Sequence, residues 1–124
     1  MVRLIAFVVC IAATLAGGAA SAAGDIEAGR KLYQSQCAAC HSVEFNGVGP
    51  AHKGVYGRRI GQAPGYDYSP ALKTATKHWT PENLDKWLSD PEKFLPGQKM
   101  GISLDSAADR SNVIEYLKSL SARE

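Results

Sequence analysis

The chain has 124 residues, of which 45% are hydrophobic, and its 14 basic and 12 acidic side chains give a formal net charge of +2. A chain of this length forms one small domain with a limited apolar core. The near balance of charge gives no support for nucleic-acid binding, which favours a clearly basic surface.

The first 23 residues have the pattern of a secretory signal. Arg3 supplies a short positive start, residues 4–16 are almost entirely apolar, and small residues lead to expected cleavage near Ala22 or Ala23. The apolar run is short for a membrane span, although an uncleaved anchor helix is an alternative. We therefore predict a signal peptide over residues 1–23, export to the periplasm, and one domain over residues 24–124.

The first helix of the mature chain is predicted over residues 26–40. Asp25 is a suitable N-cap, because its side chain can accept hydrogen bonds from the first free N–H groups of a helix. Gly29, Tyr33 and Cys37 follow at four-residue steps, which is the spacing of one helix face. The helix is therefore expected to present a cysteine pair at its end.

That end carries a C-x-x-C-H motif formed by Cys37, Cys40 and His41, which is the attachment signal for a c-type haem. Helical spacing places both thiols on one side, where each can add to a haem vinyl group, and His41 can turn its imidazole to the iron. We predict one covalently attached haem c. A dithiol redox pair or a zinc site are alternatives for the cysteines alone, but His52 and His78 lack the spacing of a four-ligand zinc site.

A long loop is predicted over residues 43–68, which are rich in glycine, proline and tyrosine. A loop of this length in a small domain is usually functional or wrapped around another group, and here that group is the predicted haem. Ser69-Pro70 then indicates a short helix to about residue 77, with serine as the cap and proline at the first helical position.

Two further helices are predicted in the second half of the chain. Thr80-Pro81 begins the first of them, which ends or restarts at Asp90-Pro91. Residues 94–101 form a second loop. The last helix begins near Ser106, and its buried face is formed by four apolar residues at helical spacing, Val113, Ile114, Leu117 and Leu120.

Met100 lies in this second loop, between Pro96-Gly97 and Gly101, and is the only methionine besides Met1. A methionine on a constrained loop, away from any helix stripe, is a candidate ligand for the second axial position of haem iron. The alternatives are His52 or His78, which would give an iron with two histidine ligands, or no sixth ligand. A His/Met pair raises the reduction potential and leaves no open coordination position, which suits single-electron transfer.

Several motifs together resemble class I cytochrome c, the small monohaem electron carriers that include bacterial cytochrome c2 and its mitochondrial relatives. The resemblance covers residues 24–121 and includes the C-x-x-C-H motif, Gly49-Pro50 and the runs 24–29, 54–58, 63–68, 96–100 and 113–117. It implies an all-α fold with three main helices, short helices and long loops around one haem. It also implies that Gly29 and Tyr33 pack against the last helix.

The resemblance assigns roles to the residues that hold the haem. Cys37 and Cys40 would carry the thioether links, and His41 and Met100 would be the axial iron ligands. The carbonyl of Pro50 would accept the other ring N–H of His41, which would fix the orientation of the imidazole.

A second group of residues would contact the haem propionates. The resemblance places Arg58, Tyr68 and Trp79 there as hydrogen-bond donors, with Arg58 also offsetting the buried negative charge. Tyr66 is a further candidate, although both tyrosines are also compatible with loop packing. Gln98 stands where the family often has a hydroxyl residue that contacts a propionate.

Besides Gln98, the chain departs from the family pattern at three positions. His52 replaces a leucine that usually packs beside the proximal ligand, and it is expected either to be solvated or to reach toward His41. Trp87 replaces a tyrosine that often bonds the methionine sulfur. Glu92 replaces a lysine that often contributes to docking.

We therefore predict a periplasmic, monomeric single-electron carrier and no enzyme activity. Its expected partners are a quinol–cytochrome c oxidoreductase, a cytochrome oxidase, a reaction centre or a periplasmic dehydrogenase, with no nucleic acid and no stable membrane insertion after signal cleavage. The alternatives are a haem peroxidase or gas-sensing domain with an open distal site, and a haem subunit of a periplasmic dehydrogenase complex.

Overall fold

Five helices form the secondary structure of the part of the chain that the computed structural model describes, residues 23–121. Their order is α1 (Ile26–Gln36), α2 (Pro70–Lys73), α3 (Pro81–Ser89), α4 (Pro91–Phe94) and α5 (Ala107–Ser121). Between residues 23 and 121 the only β pairing is an isolated bridge, Arg59 with His78. The predicted all-α fold with three main helices is confirmed. Residues 1–22 of the predicted signal peptide lie outside the described residues.

The crossing of α1 and α5 brings the two ends of the domain together. Asp25 caps α1 by accepting from the Ala28 N–H at 2.8 Å, and its own N–H donates to Asn112 Oδ1 on α5 at 2.8 Å. At the crossing, a Cβ added to Gly29 would lie 2.5 Å from the carbonyl carbon of Asn112, so only glycine fits there without a shift. The aromatic ring of Tyr33 packs on Tyr116 one turn further along, with centroids 5.1 Å apart.

Helix α1 ends four residues earlier than the sequence indicated. It stops at Gln36, and the cysteine motif follows in a turn instead of on the helix itself. The cause is a widened turn, because the Ala38 N–H reaches back five residues to the Tyr33 carbonyl at 3.0 Å. The His41 N–H still bonds the Cys37 carbonyl at 2.9 Å, so the one-turn spacing of the motif is retained.

Helix α2 is also shorter than predicted, ending at Lys73 rather than near residue 77. The Thr74 hydroxyl donates to the Pro70 carbonyl at 2.9 Å and the Ala75 N–H bonds the Leu72 carbonyl, which closes the helix in a tight turn. Downstream, Asp90 caps the restarted helix α4 by accepting from the Lys93 N–H at 3.0 Å.

Arg110 on α5 connects three parts of the fold. Its Nε donates to Asp85 Oδ1 on α3 at 2.7 Å, while its Nη1 donates to the carbonyls of Leu104 and Asp105 at 2.9 and 2.8 Å. The Leu104 N–H in turn bonds the Leu88 carbonyl at 2.7 Å. These bonds fix the segment between the Met100 loop and α5 against α3.

The apolar core runs from the α1–α5 crossing to α3, and Ile60 and Val113 are its most deeply buried large side chains. Partly buried apolar side chains pack against this core and keep part of their surface exposed: Leu32, Cys37, Val43, Tyr56, Leu72, Phe94, Leu95 and Met100. No helix between residues 23 and 121 combines the length and the apolar character needed to cross a membrane.

Candidate functional site

The His41 imidazole is held by the backbone of the following loop. Its Nδ1 lies 2.9 Å from the Pro50 carbonyl oxygen, which can only accept, so Nδ1 carries the proton and Nε2 keeps its lone pair. Burial lowers the pKa of His41, and the Pro50 carbonyl opposes this only in part. The ring is therefore neutral at neutral pH and offers Nε2 as a metal ligand.

Gly49 lets the loop pass against this ring. A Cβ at Gly49 would lie 2.6 Å from Nδ1 and 2.8 Å from Nε2 of His41, so any side chain there would displace the imidazole. The Gly49 N–H donates to the Cys40 carbonyl at 2.8 Å, which ties the loop back to the cysteine motif. The Gly49-Pro50 pair thus positions His41 by both contact and hydrogen bond.

His52 reaches toward His41, which is the second of the two possibilities that the sequence left open. The two imidazoles stack with centroids 4.0 Å apart and an interplanar angle of 19°. His52 Nδ1 also lies 2.9 Å from the Tyr33 hydroxyl. Burial lowers the pKa of His52 to about 3, with the neighbouring His41 and Arg58 adding to the effect, so its ring is neutral.

The two thiols differ in their exposure to solvent. Cys37 is half-buried against the core, whereas Cys40 is exposed, and neither forms a disulfide. Burial raises the pKa of the Cys37 thiol to about 11, so this sulfur is protonated at neutral pH before any covalent attachment. Because one thiol is exposed and the other is partly buried against the core within one turn, both can bond to a group that packs against the core.

The Met100 loop is held by hydrogen bonds to two side chains, Glu92 on α4 and Gln98 in the loop itself. The Glu92 carboxylate accepts from the Gly97 N–H at 2.9 Å and from the Gln98 amide at 3.2 Å. The other end of that amide, Gln98 Oε1, accepts from the Met100 N–H. Gly97 has φ +88°, which favours glycine. Met100 itself is partly buried and, like Cys37, packs against the apolar core.

Arg58 is a neighbour of both Tyr68 and Trp79. The backbone N–H of Trp79 bonds the backbone carbonyl of Arg58 at 2.8 Å, and the positive charge of Arg58 partly offsets the rise that burial causes in the pKa of Tyr68. Tyr68 Oη accepts from the Ala63 N–H at 2.9 Å, which leaves its own proton free to donate. Arg58 donates to the Lys53 carbonyl, yet its Nε is buried without a partner.

Two other candidate residues have partners within the chain. The Tyr66 hydroxyl donates to the Val48 carbonyl at 2.6 Å, so Tyr66 links two parts of the long loop. Both polar ends of Gln98 are engaged in the Met100 loop. For these two residues, direct contact with a propionate stays a prediction.

Asn46 is a structural residue of the site that the sequence reading missed. Its amide donates to the Pro64 carbonyl at 2.9 Å and its Oδ1 accepts from the Ala51 N–H at 2.9 Å, which joins three parts of the long loop. A cavity of about 460 Å³ opens between these parts, with Arg58 and Gln62 among its lining residues. A local sequence pattern cannot reveal the distant partners of a side chain, so nothing in the predicted loop over residues 43–68 indicated this role of Asn46.

The family model for cytochrome c matches residues 26–121. The chain belongs to the cytochrome c family. It is 45% identical over 100 residues to cytochrome c of Euglena viridis, covering 78% of this chain and 98% of that protein. It is 44% identical over 103 residues to the cytochrome c-type cyt cy of Rhodobacter capsulatus, covering 82% of this chain and 52% of that protein.

A solved structure shows the same fold as well as sequence similarity. Cytochrome cH from Methylobacterium extorquens superimposes with a TM-score of 0.74 at 43% identity, covering 77% of this chain and 99% of that one. As a member of the cytochrome c family, the chain carries one covalently attached haem c and is an electron-transfer protein, not an enzyme. The family therefore decides against the peroxidase alternative.

The residues of this cytochrome c fit that group. Two thiols, a neutral imidazole with a free Nε2 and a thioether form a donor set for covalent attachment and axial ligation. The partnerless Nε of Arg58 provides a buried donor for an anion. Partly buried apolar side chains such as Leu72, Phe94 and Met100 offer surface that an apolar macrocycle would cover.

Trp87 is buried in an aromatic cluster with Trp79 and Phe94, at centroid distances of 5.3 and 6.4 Å. Trp79 and Phe94 complete the cluster at 6.3 Å, and the Lys77 ammonium lies 5.1 Å from the centre of the Phe94 ring. In this cytochrome c, the position where the family often has a tyrosine is therefore filled by a ring packed among other rings.

Proposed function

We propose that this cytochrome c is an exported, periplasmic single-electron carrier in which Cys37 and Cys40 bind the haem and His41 and Met100 are its axial ligands. The observation that carries the proposal is the 2.9 Å hydrogen bond between His41 Nδ1 and the Pro50 carbonyl. Because this bond assigns the proton to Nδ1, the Nε2 lone pair is directed away from the loop and is available to iron.

The bound haem supplies a one-electron iron couple, and the chain controls its surroundings. The partly buried apolar side chains that pack against the core would exclude water from the haem. The Glu92–Gln98 network holds the loop that carries Met100. A propionate would be bound by Arg58, Tyr68 and Trp79. Beside it, Tyr66 would stabilise the loop over residues 43–68 and Gln98 would stabilise the Met100 loop. A carrier with both axial positions filled can change charge with little rearrangement of the protein.

Electron exchange would occur in short-lived complexes with membrane-bound or periplasmic redox proteins. We propose a quinol–cytochrome c oxidoreductase, a cytochrome oxidase, a reaction centre or a periplasmic dehydrogenase as partners. Exposed lysines support steering toward an acidic surface: Lys93 precedes the Met100 loop and Lys99 lies within it. Lys73 contributes less, because it is paired with Asp67 at 2.7 Å. Such docking should weaken as salt concentration rises.

The proposal is tested by expressing the full precursor in a host that matures c-type cytochromes. We expect a haem-staining band in the periplasmic fraction after denaturing electrophoresis, with an N-terminus near Gly24. The oxidised protein should show a sulfur-to-iron charge-transfer band and should not bind carbon monoxide when reduced. A colourless band, or ready binding of carbon monoxide by the fresh native protein, would contradict the proposed ligation.

Arg58 provides a prediction on the potential. Replacing Arg58 with leucine should lower the reduction potential by roughly 40 mV, the one-electron equivalent of about 1 kcal/mol, because a positive charge beside the haem favours the reduced state. Potentiometric titration measures the shift. The control is Arg59→Leu, which removes an equal charge from an exposed neighbour. Equal shifts in the two variants would show that Arg58 has no special position near the haem.

A further inference from the structure

His52 and Tyr33 form a partly buried polar pair behind the proximal histidine. Tyr33 is only 4% exposed, and its hydroxyl lies 2.9 Å from His52 Nδ1. The Tyr33 ring is fixed from the other side by Tyr116 on α5, with centroids 5.1 Å apart. The hydroxyl therefore has a defined position, set by the α1–α5 crossing.

The His52 backbone is equally well fixed. Its N–H donates to the Ser42 carbonyl at 3.0 Å, and the next residue, Lys53, bonds the Val43 carbonyl at 2.9 Å. Ser42 directly follows His41 in sequence. The segment that carries His52 is thus tied to the segment that carries His41, and the two side chains stack with centroids 4.0 Å apart at 19°.

These contacts restrict the plane of the His41 ring. The Pro50 hydrogen bond fixes the direction of Nδ1 but permits rotation of the ring about the line from Nδ1 to the carbonyl. A flat neighbour at stacking distance opposes that rotation, whereas an aliphatic side chain offers no matching plane. The electronic structure of haem iron depends on the orientation of its axial ligands, so a fixed plane has a measurable consequence.

We propose that His52, held by the Tyr33 hydroxyl, is a positioning residue that sets the plane of the His41 imidazole and thereby the electronic asymmetry and potential of the iron. This inference rests on the proposed function, because it requires His41 to be the axial ligand.

The experiment compares oxidised holoprotein of wild type, His52→Leu, Tyr33→Phe and the double variant. The readouts are the EPR g-values, the order and spread of the haem methyl NMR shifts, the potential, and the free energy of unfolding. His52→Leu should shift the EPR and NMR signatures while the sulfur-to-iron band persists. Tyr33→Phe should shift them in the same direction but less, since the His52 ring remains.

Stability should behave differently from the spectra. His52→Leu leaves the Tyr33 hydroxyl buried without a partner, so its folding equilibrium constant should fall about tenfold. Removing the hydroxyl as well, in the double variant, should restore most of that loss. The spectral shift should remain in the double variant, because the stacked ring is still absent. His78→Leu, which removes an exposed histidine elsewhere, is the matched control and should leave the spectra and potential unchanged.

Unchanged spectra in His52→Leu would overturn the inference, as would spectra that recover together with stability in the double variant. A wild-type spectrum without a histidine-ligated, low-spin iron would overturn the proposed function and this inference together. The wild-type spectrum therefore shows whether the proposed function fails or only the inference about His52.

Discussion

Replacing Met100 with alanine should abolish the sulfur-to-iron charge-transfer band and open the sixth coordination position. The loss of the thioether removes a ligand that favours the ferrous state, so the reduction potential should fall by on the order of 0.1–0.3 V, within the ~0.8 V range over which axial ligands set haem potentials. The reduced variant should also bind carbon monoxide. Optical spectra and potentiometric titration measure both effects.

The matched control for this variant is Ile102→Ala. Ile102 lies two residues further along the same segment and is 43% exposed, so its truncation tests whether any loss of apolar side chain there perturbs the iron. We expect the band and the potential of the control to match wild type. If Met100→Ala retained the band and excluded carbon monoxide, another residue would have to be the sixth ligand.

Replacing Gly29 with alanine should destabilise the protein by about 2–3 kcal/mol. In most helix interiors this change is stabilising by about 1 kcal/mol. Here the new Cβ would lie 2.5 Å from the Asn112 carbonyl carbon and 3.0 Å from the Tyr116 Cβ, so α1 and α5 must separate. Urea unfolding of the holoprotein, followed by circular dichroism, measures the loss.

Gly101→Ala is the control for the crossing. A Cβ at Gly101 has no atom within 4 Å, and the backbone there is not in the left-handed region. Its free energy of unfolding should lie within about 0.5 kcal/mol of wild type. A Gly29→Ala variant as stable as this control would show that the α1–α5 crossing adjusts easily to a larger residue.

Local patterns were sufficient to predict most of the fold. The caps at Asp25, Ser69, Thr80 and Asp90 all accept the expected N–H groups, because a cap depends on neighbours only three residues away. The buried face of α5 also follows from its own spacing. The two helix ends that were wrong, after Gln36 and Lys73, depend on the competition of particular hydrogen bonds that propensity does not resolve.

The candidate site, too, was predictable from the sequence only where its residues are close together in the chain. The residues of the C-x-x-C-H motif were evident from their spacing, and the resemblance implied the His41–Pro50 hydrogen bond that the structure contains. The Tyr33–His52 contact joins residues 19 positions apart, and Arg110–Asp85 joins residues 25 apart. Such pairs are fixed by the packing of whole helices, so a single sequence gives no direct signal for them.

The hydrogen bond between the Asp25 N–H and Asn112 spans 87 positions, so α1 gains its packing partner only after nearly the whole domain has been made. Closing so distant a contact is entropically slow, and in the export that we propose the cysteine motif would cross the membrane well before α5. In that order of events, the two thiols would be open to haem attachment before the docking of α5 closes the domain.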